Sequence, residues 1–126
     1  MNMTMAPNHI TESNVYDLTS NFALRIVKLY KYLTDEKKEF VMSKQVYRSG
    51  TSIGANIAES KGAQSDADFV SKLSIALKEA FETQYWLMLR HESEIIGDTE
   101  YDSIGNDVNV IIGTLTKIIK KRKGLD

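Results

Sequence analysis

The sequence predicts an all-α protein, folded as an up-down-up-down antiparallel four-helix bundle. Apolar residues recur at steps of three and four along most of the chain, which is the spacing of one face of a helix. No stretch shows sustained alternation of apolar and polar residues, and no two β-branched runs are joined by a hairpin turn. The periodic segments are about 20 to 28 residues long and their connections are short, so consecutive helices should run antiparallel.

The first two helices are predicted in the N-terminal half of the chain. The apolar face of the first comprises Val15, Leu18, Phe22, Ile26, Leu29 and Leu33. Ser13 or Asn14 can cap its start, because a short polar side chain accepts a hydrogen bond from a first-turn amide. The polar stretch TDEKKE follows, and Thr34 or Asp35 can cap a second helix that should begin near Glu36.

The third helix is predicted from Ala67 onward, and apolar residues cover most of its circumference. One row comprises Phe69, Leu73, Ala76, Ala80, Thr83 and Leu87, and a second comprises Val70, Leu77, Phe81 and Met88. A helix of this kind cannot bury all of its apolar surface inside one small bundle. We therefore expect an oligomer in which another copy of the chain covers the remainder.

The fourth helix is predicted after the stretch EIIGDTE. Gly97 can adopt the left-handed conformation that ends the third helix, and Asp98 or Thr99 can cap the fourth. The apolar face of this helix comprises Ile104, Val108, Ile111, Leu115 and Ile118.

Length and composition indicate one ordinary globular domain. The 126 residues suit a single core, which we place at residues 15–123, with a frayed tail at 1–14 and a short one at 124–126. The absence of cysteine excludes a disulfide framework, a thiolate zinc site and a cysteine nucleophile. The N-terminal residues have neither a basic nor an apolar export region, so we expect a cytoplasmic protein that is not embedded in a membrane.

Charge is unevenly distributed, although the net charge is only −1. Between Asp66 and Thr116 there are three basic and ten acidic residues, so this half is acidic. The segment KIIKKRK then adds five positive charges, at Lys117, Lys120, Lys121, Arg122 and Lys123. These side chains can complement the negative end of the fourth helix dipole, or they can contact nucleic acid from one basic rim of a symmetric oligomer.

The run of small residues YRSGTSIGANIAES has two interpretations. A phosphate-binding loop would need a preceding strand, and a Walker loop also needs a Gly-Lys-Ser/Thr sequence; the chain has neither. On a helix, Gly50, Gly54 and Ala58 form one strip with almost no side chain. We therefore interpret the glycines as a surface for close helix packing, because about 1 kcal/mol of lost helix propensity at each glycine needs an offset.

The stretch QVYRSGTSIGANIAES resembles the signature Q-x-R-R-A-x-x-S-I-P-x-N-I-A-E-G of the 23S rRNA intervening-sequence protein family. The matching positions are Gln45, Arg48, Ser52, Ile53, Asn56, Ile57, Ala58 and Glu59. The polar segment of the third helix, with Glu79 and the sequence ETQ at residues 82–84, matches a second hallmark. Tyr47 stands where the first arginine is usual, Gly54 replaces the proline, and Ser60 replaces the glycine.

The resemblance implies a fold and an assembly more than an activity. Members of this family are four-helix bundles that form homopentamers, and a nucleic-acid role has been supposed because some are encoded within rRNA insertions. A related branch, the accessory proteins of diversity-generating retroelements, binds a reverse transcriptase and nucleic acid through a strongly basic surface. Tyr47 in place of arginine weakens the nucleic-acid interpretation for this chain.

Five polar residues form a candidate binding cluster: Arg48, Ser52, Asn56, Glu59 and Glu82. They can line a ligand pocket, or they can form a network that fixes helix register or a subunit contact, which is the interpretation we favour. A buried charge needs a partner, so Arg48 should pair with Glu59 or Glu82.

Neither a metal, a cofactor nor an enzymatic reaction is predicted. His91 lies beside acidic residues, but position 95, one turn away, is isoleucine rather than a second ligand. No nucleophile, base and orienting group can be assembled from the spacing. The leading hypothesis is a non-enzymatic oligomeric scaffold that binds itself and another protein; the alternative is an RNA- or DNA-binding protein, and an enzyme using Arg48, Asn56 and Glu59 is a third.

Overall fold

Four helices make up the fold of the computed structural model, which describes Glu12 and residues 14–125. They are α1 (Val15–Asp35), α2 (Val41–Ser60), α3 (Asp66–Glu92) and α4 (Asp98–Arg122). Each helix contacts the next one in sequence, and α4 also contacts α1. No strand occurs in these residues, which confirms the all-α prediction. The other residues of the predicted N-terminal tail, including the predicted cap Ser13, lie outside the described part.

One apolar core is shared by all four helices. The side chains that are almost fully buried at its centre are Phe22, Ile26, Leu33, Ile53, Ile57, Leu73, Leu87, Ile104, Ile111 and Leu115. These positions follow the predicted spacing of three and four within each helix. None of the helices in the described part combines enough length with enough apolar character to cross a lipid bilayer.

Helix α2 approaches α1 closely where its two glycines meet α1. A Cβ atom added at Gly50 would lie 2.8 Å from Cγ1 of Ile26, and one added at Gly54 would lie 3.3 Å from the backbone oxygen of Thr19. The prediction of close packing is therefore confirmed for both glycines. Ala58, predicted on the same strip, is exposed and takes no part in this contact.

The connection between α1 and α2 differs from the prediction. Helix α1 extends through Asp35, and α2 begins at Val41 rather than near Glu36. Thr34 does not cap, because its hydroxyl donates to the backbone oxygen of Tyr30 at 2.9 Å within α1. The cap of α2 is Glu39, whose carboxylate accepts hydrogen bonds from the backbone amides of Val41, Met42 and Ser43 at 2.8 to 2.9 Å.

The other predicted caps that lie in the described residues are also wrong. Asn14 precedes α1 but makes no side-chain hydrogen bond to its first-turn amides. Gly97 is not left-handed: its φ of −74° and ψ of 167° place it as the extended residue immediately before α4. The left-handed residue after α3 is Glu94, with a φ of 62°. Asp98 lies inside α4 as its first residue, so it does not cap that helix.

Candidate functional site

The groove between α2 and α3 holds an ion-pair cluster that includes two of the five predicted site residues. The guanidinium of Arg48 lies 3.1 Å from Oε2 of Glu79 and forms a second ion pair with Glu82. The indole nitrogen of Trp86 donates to the same Glu82 carboxylate at 3.1 Å. Arg48 thus pairs with Glu82, one of its two predicted partners, and Glu79 is an additional partner.

The other three predicted site residues do not join this cluster. Ser52 donates to the backbone oxygen of Arg48 at 2.6 Å, and Asn56 donates to the backbone oxygen of Ser52 at 2.9 Å, so both bind their own helix. Glu59 lies 3.5 Å from the ammonium of Lys72 on α3. The five side chains therefore do not converge on a shared point: the ion pairs of Arg48, Glu82 and Glu59 join α2 to α3, whereas Ser52 and Asn56 bond only within α2.

The outward surface of α3 carries three large apolar side chains among the exposed Ser71, Ser74 and Lys78. Ile75, Phe81 and Tyr85 are 41%, 52% and 52% exposed, and they lie on the side of the helix opposite its buried row. The neighbours of α3 are α2 and α4, so no other helix in the described residues covers this side. We call the surface formed by Ile75, Phe81 and Tyr85 the outer α3 face.

The basic residues at the C-terminal end of α4 have two kinds of surroundings. Arg122 is held by a salt bridge to Asp66 at 2.6 Å and by two hydrogen bonds to Glu12 at 2.8 and 2.9 Å. Its guanidinium also lies 4.1 Å from the ring centroid of Phe69. The four lysines of this end are exposed, and none forms an ion pair with another described residue: Lys117, Lys120, Lys121 and Lys123.

Sequence reasoning missed the most deeply buried charge of the molecule. Arg90 on α3 is completely buried, and its Nη2 lies 2.6 Å from Oε1 of Glu39, the residue that caps α2. Its Nε and Nη1 have no hydrogen-bond partner within the described part of the chain. Burial lowers the pKa of Arg90, and the charge of Glu39 partly opposes that effect. A signal was available: Arg90 continues the buried spacing of Ala76 and Thr83.

Comparisons with known proteins agree with this fold. The family model described as 23S rRNA-intervening sequence protein matches residues 11–117. The chain belongs to the 23S rRNA-intervening sequence protein family. A crystal structure of a protein of unknown function from the S23 ribosomal protein family of Bacteroides thetaiotaomicron is 57% identical, covers 88% of this chain and 99% of its own, and superposes with a TM-score of 0.86. A search of curated proteins found no match.

In this member of the 23S rRNA-intervening sequence protein family, residues in the signature stretch of α2 pack against α1 on one side and contact α3 on the other. Ile53 and Ile57 lie in the core, and Gly54 meets α1. Arg48 ties α2 to α3. In the described residues, no three histidine or acidic side chains are grouped so that they could hold a metal ion. Among the signature positions, Ile53 and Ile57 thus pack in the core and Arg48 contacts α3.

Proposed function

We propose that this chain is a non-enzymatic scaffold protein of the cytoplasm: an up-down-up-down four-helix bundle that assembles into a homopentamer and presents its surface to another macromolecule. The observation that carries the proposal is the outer α3 face, three large exposed apolar side chains on a helix side that no other described helix covers. The family resemblance supports five as the number of copies.

Contacts between helices support the antiparallel order. Along the first pair of helices, Thr19 lies against Gly54 and Ile26 against Gly50, so residue numbers rise on α1 as they fall on α2. The second pair behaves in the same way, because Glu59 pairs with Lys72 whereas Arg48 pairs with Glu79 and Glu82 further along α3.

The outer α3 face favours assembly for an energetic reason. Soluble monomers rarely expose contiguous patches of large apolar side chains, and burial of apolar area contributes about 25 cal/mol per Å². Phe81 and Tyr85 lie one helical turn apart, and aromatic residues of this size dominate the energy of many protein interfaces. Covering this face with a second copy removes both rings from water.

Paired charges between α2 and α3 support a non-enzymatic role. The carboxylates of Glu79 and Glu82 neutralise Arg48, and Glu59 lies next to Lys72. A general base or a nucleophile needs a free or activated group aimed at a substrate, and these groups are aimed at one another. Their arrangement suits the joining of two helices.

Light scattering with a double variant tests the proposal. The parent should have a mass near five times the protomer mass of 14.2 kDa at micromolar concentration. Replacing Phe81→Lys and Tyr85→Lys should reduce the mass to that of the protomer while the helix content is retained, because both side chains are already half-exposed in the single chain. The matched control is Leu24→Lys on α1, which is 62% exposed and lies outside the outer α3 face.

Two results would contradict the scaffold proposal. A parent whose mass is that of a single protomer would show that the chain does not assemble. A double variant that keeps the parent's mass would show that the outer α3 face is not the contact between copies. If Leu24→Lys dissociates the assembly and the double variant does not, the interface lies on α1 instead.

A second candidate function rests on the four unpaired lysines at the C-terminal end of α4. They leave a local positive charge on a chain that is otherwise acidic in this half, and phosphate contacts of this kind make affinity fall steeply with salt. Arg122 is expected to contribute less than the lysines, because Asp66 and Glu12 already neutralise it.

An RNA-binding measurement at two salt concentrations tests this second candidate. Replacing Lys120, Lys121 and Lys123 by glutamine should weaken binding to an rRNA fragment and lower its salt dependence, with helix content unchanged. The matched control replaces three exposed lysines elsewhere, Lys28, Lys31 and Lys44, by glutamine. Equal affinity and equal salt dependence in the two triple variants would mean that the lysines at the C-terminal end of α4 contribute only to the stability and solubility of that helix end.

A further inference from the structure

A cleft opens between α1 and the connection from α3 to α4. Its volume is about 520 Å³, within the range of about 300 to 1,000 Å³ that is usual for sites that bind small molecules. The apolar part of its lining is formed by Leu29 of α1 and by Ile95 and Ile96 of the connection. Leu29 and Ile96 are almost fully buried, so they form a fixed floor.

The rim of this cleft carries two cations with different surroundings. Arg25 is held across the gap between α1 and α4 by Asp107 at 2.5 Å and by Ser103 at 3.1 Å, and Glu100 lies 3.5 Å away. Lys28, one turn further along α1, is exposed and forms no ion pair with any described residue. Arg25 is therefore shared by two carboxylates, whereas Lys28 is the rim cation that has no ion-pair partner among the described residues.

Gly97 leaves one wall of the cleft open. Its backbone is extended, with a φ of −74° and a ψ of 167°, which any residue can adopt. A Cβ atom added there would meet no other atom within 4 Å. A larger side chain at this position would therefore project into free space without straining the backbone, and it would reduce the volume available to a ligand.

We propose that this cleft binds a small amphipathic carboxylate. The aliphatic or aromatic body of the ligand lies on Leu29, Ile95 and Ile96, and its carboxylate pairs with Lys28. Tyr32, which also lines the cleft, covers part of the apolar body. The site lies within one chain, so it does not depend on the proposed assembly.

Calorimetric titration of the full chain with decanoate tests the proposal. The parent should bind one decanoate per chain with a saturable isotherm. Gly97→Leu should weaken this binding by about tenfold or more, because the new side chain occupies the volume that the alkyl chain needs. The matched control is Gly113→Leu on α4, where an added Cβ also meets nothing within 4 Å but the residue does not line the cleft.

The proposed contact between the ligand carboxylate and Lys28 is tested separately. Lys28→Gln should weaken decanoate binding by about two- to fivefold, the size expected for one solvent-exposed ion pair, and it should leave the binding of decanol unchanged. Lys31→Gln, a charge-matched control on the exposed side of α1, should have no effect on either titration.

Several outcomes would overturn the inference. They are an isotherm that does not saturate, equal affinity in Gly97→Leu and Gly113→Leu, and equal losses in Lys28→Gln and Lys31→Gln. A parent that binds decanoate only after the outer α3 face has been disrupted would show that a second copy occupies the cleft, which also overturns it. Circular dichroism of each variant separates lost binding from lost folding.

Discussion

Two arginine–glutamate clusters attach α3 to the region of α2, one in the interior and one on the surface. At the interior cluster, Arg90 is completely buried and meets the Glu39 carboxylate that also caps α2. At the surface cluster, Arg48 has a half-exposed side chain and meets two carboxylates, Glu79 and Glu82. The two clusters use the same chemical groups, and they differ mainly in access to water.

This difference in burial determines what each cluster contributes. An exposed ion pair typically contributes about 0 to 1 kcal/mol, because water screens both charges and the side chains lose freedom. Removal of one partner from a buried pair costs about 3 to 5 kcal/mol, because the other charge is left without compensation. We therefore expect the interior cluster to control stability and the surface cluster to control the geometry of the α2–α3 groove.

The largest effect is expected for Glu39→Ala. This change leaves Arg90 as an unpaired buried charge and removes the acceptor for three backbone amides at the start of α2. The expected loss in the free energy of unfolding is about 3 to 5 kcal/mol, measured by urea denaturation.

A double-mutant cycle identifies the source of that loss. In an Arg90→Met background, Glu39→Ala leaves no buried charge without a partner. The change should then cost only about 1 kcal/mol in the free energy of unfolding, the value of a lost helix cap. An equal cost of Glu39→Ala in both backgrounds would show that the buried pair adds nothing beyond the cap.

Acid should weaken the interior cluster. Burial raises the pKa of Glu39, but hydrogen bonds from Ser43 and Met42 and the charge of Arg90 together outweigh it, so the net pKa is lowered. A carboxyl with a lowered pKa in the folded state stabilises fully above its unfolded pKa, which is about 4.3 for glutamate. That contribution is lost as the pH falls through the folded value.

Urea denaturation of the parent and of Glu39→Gln at a series of pH values measures this effect. The parent should be the more stable protein at neutral pH, and the difference should shrink as the pH falls below about 4.3. Arg122 also lowers the pKa of Glu12 through a side-chain hydrogen bond, so Glu12→Gln should show a pH dependence of the same sign. A difference between the parent and Glu39→Gln that stays constant with pH would contradict the assignment.

An intermediate effect is expected from the buried hydroxyl contact that lies between the clusters. Thr83 donates to the hydroxyl of Ser49 at 2.9 Å, and both side chains are fully buried. Thr83→Val should reduce the free energy of unfolding by about 1 kcal/mol, because Ser49 keeps its bond to the backbone oxygen of Gln45 and no group is left unsatisfied. Thr51→Val, on the outer part of α2, should cost less; a larger loss there would contradict the ranking by burial.

The sequence was sufficient to predict the elements and much of the core. The spacing of apolar residues identified four helices and their buried rows, because burial on one side of a helix imposes a period that is visible locally. The close approach at Gly50 and Gly54 was also predictable, since two glycines inside a helix need a packing reason.

The caps and the interior ion pair were not predictable by the same means. Glu39 caps α2 from two positions before Val41, and its other partner, Arg90, is distant in sequence. Local propensity favoured Thr34 and Asp35 as caps of α2, but both residues lie inside α1, which extends to Asp35. The predicted pairing of Arg48 with Glu59 fails because both residues lie on α2, about 16 Å apart along the helix axis at about 1.5 Å per residue; Lys72 of α3 lies next to Glu59 instead.

The smallest effect is expected at the surface cluster. Arg48→Ala removes a side chain that is half-exposed; Glu82 is already 33% exposed, and loss of the arginine should open Glu79, which is 13% exposed, to water. The expected change in the free energy of unfolding is about 0 to 1 kcal/mol, and it should diminish further at high salt because the pair is screened. A loss as large as that of Glu39→Ala would mean that the assembled protein buries this groove, and the comparison of the two clusters would then apply only to the single chain.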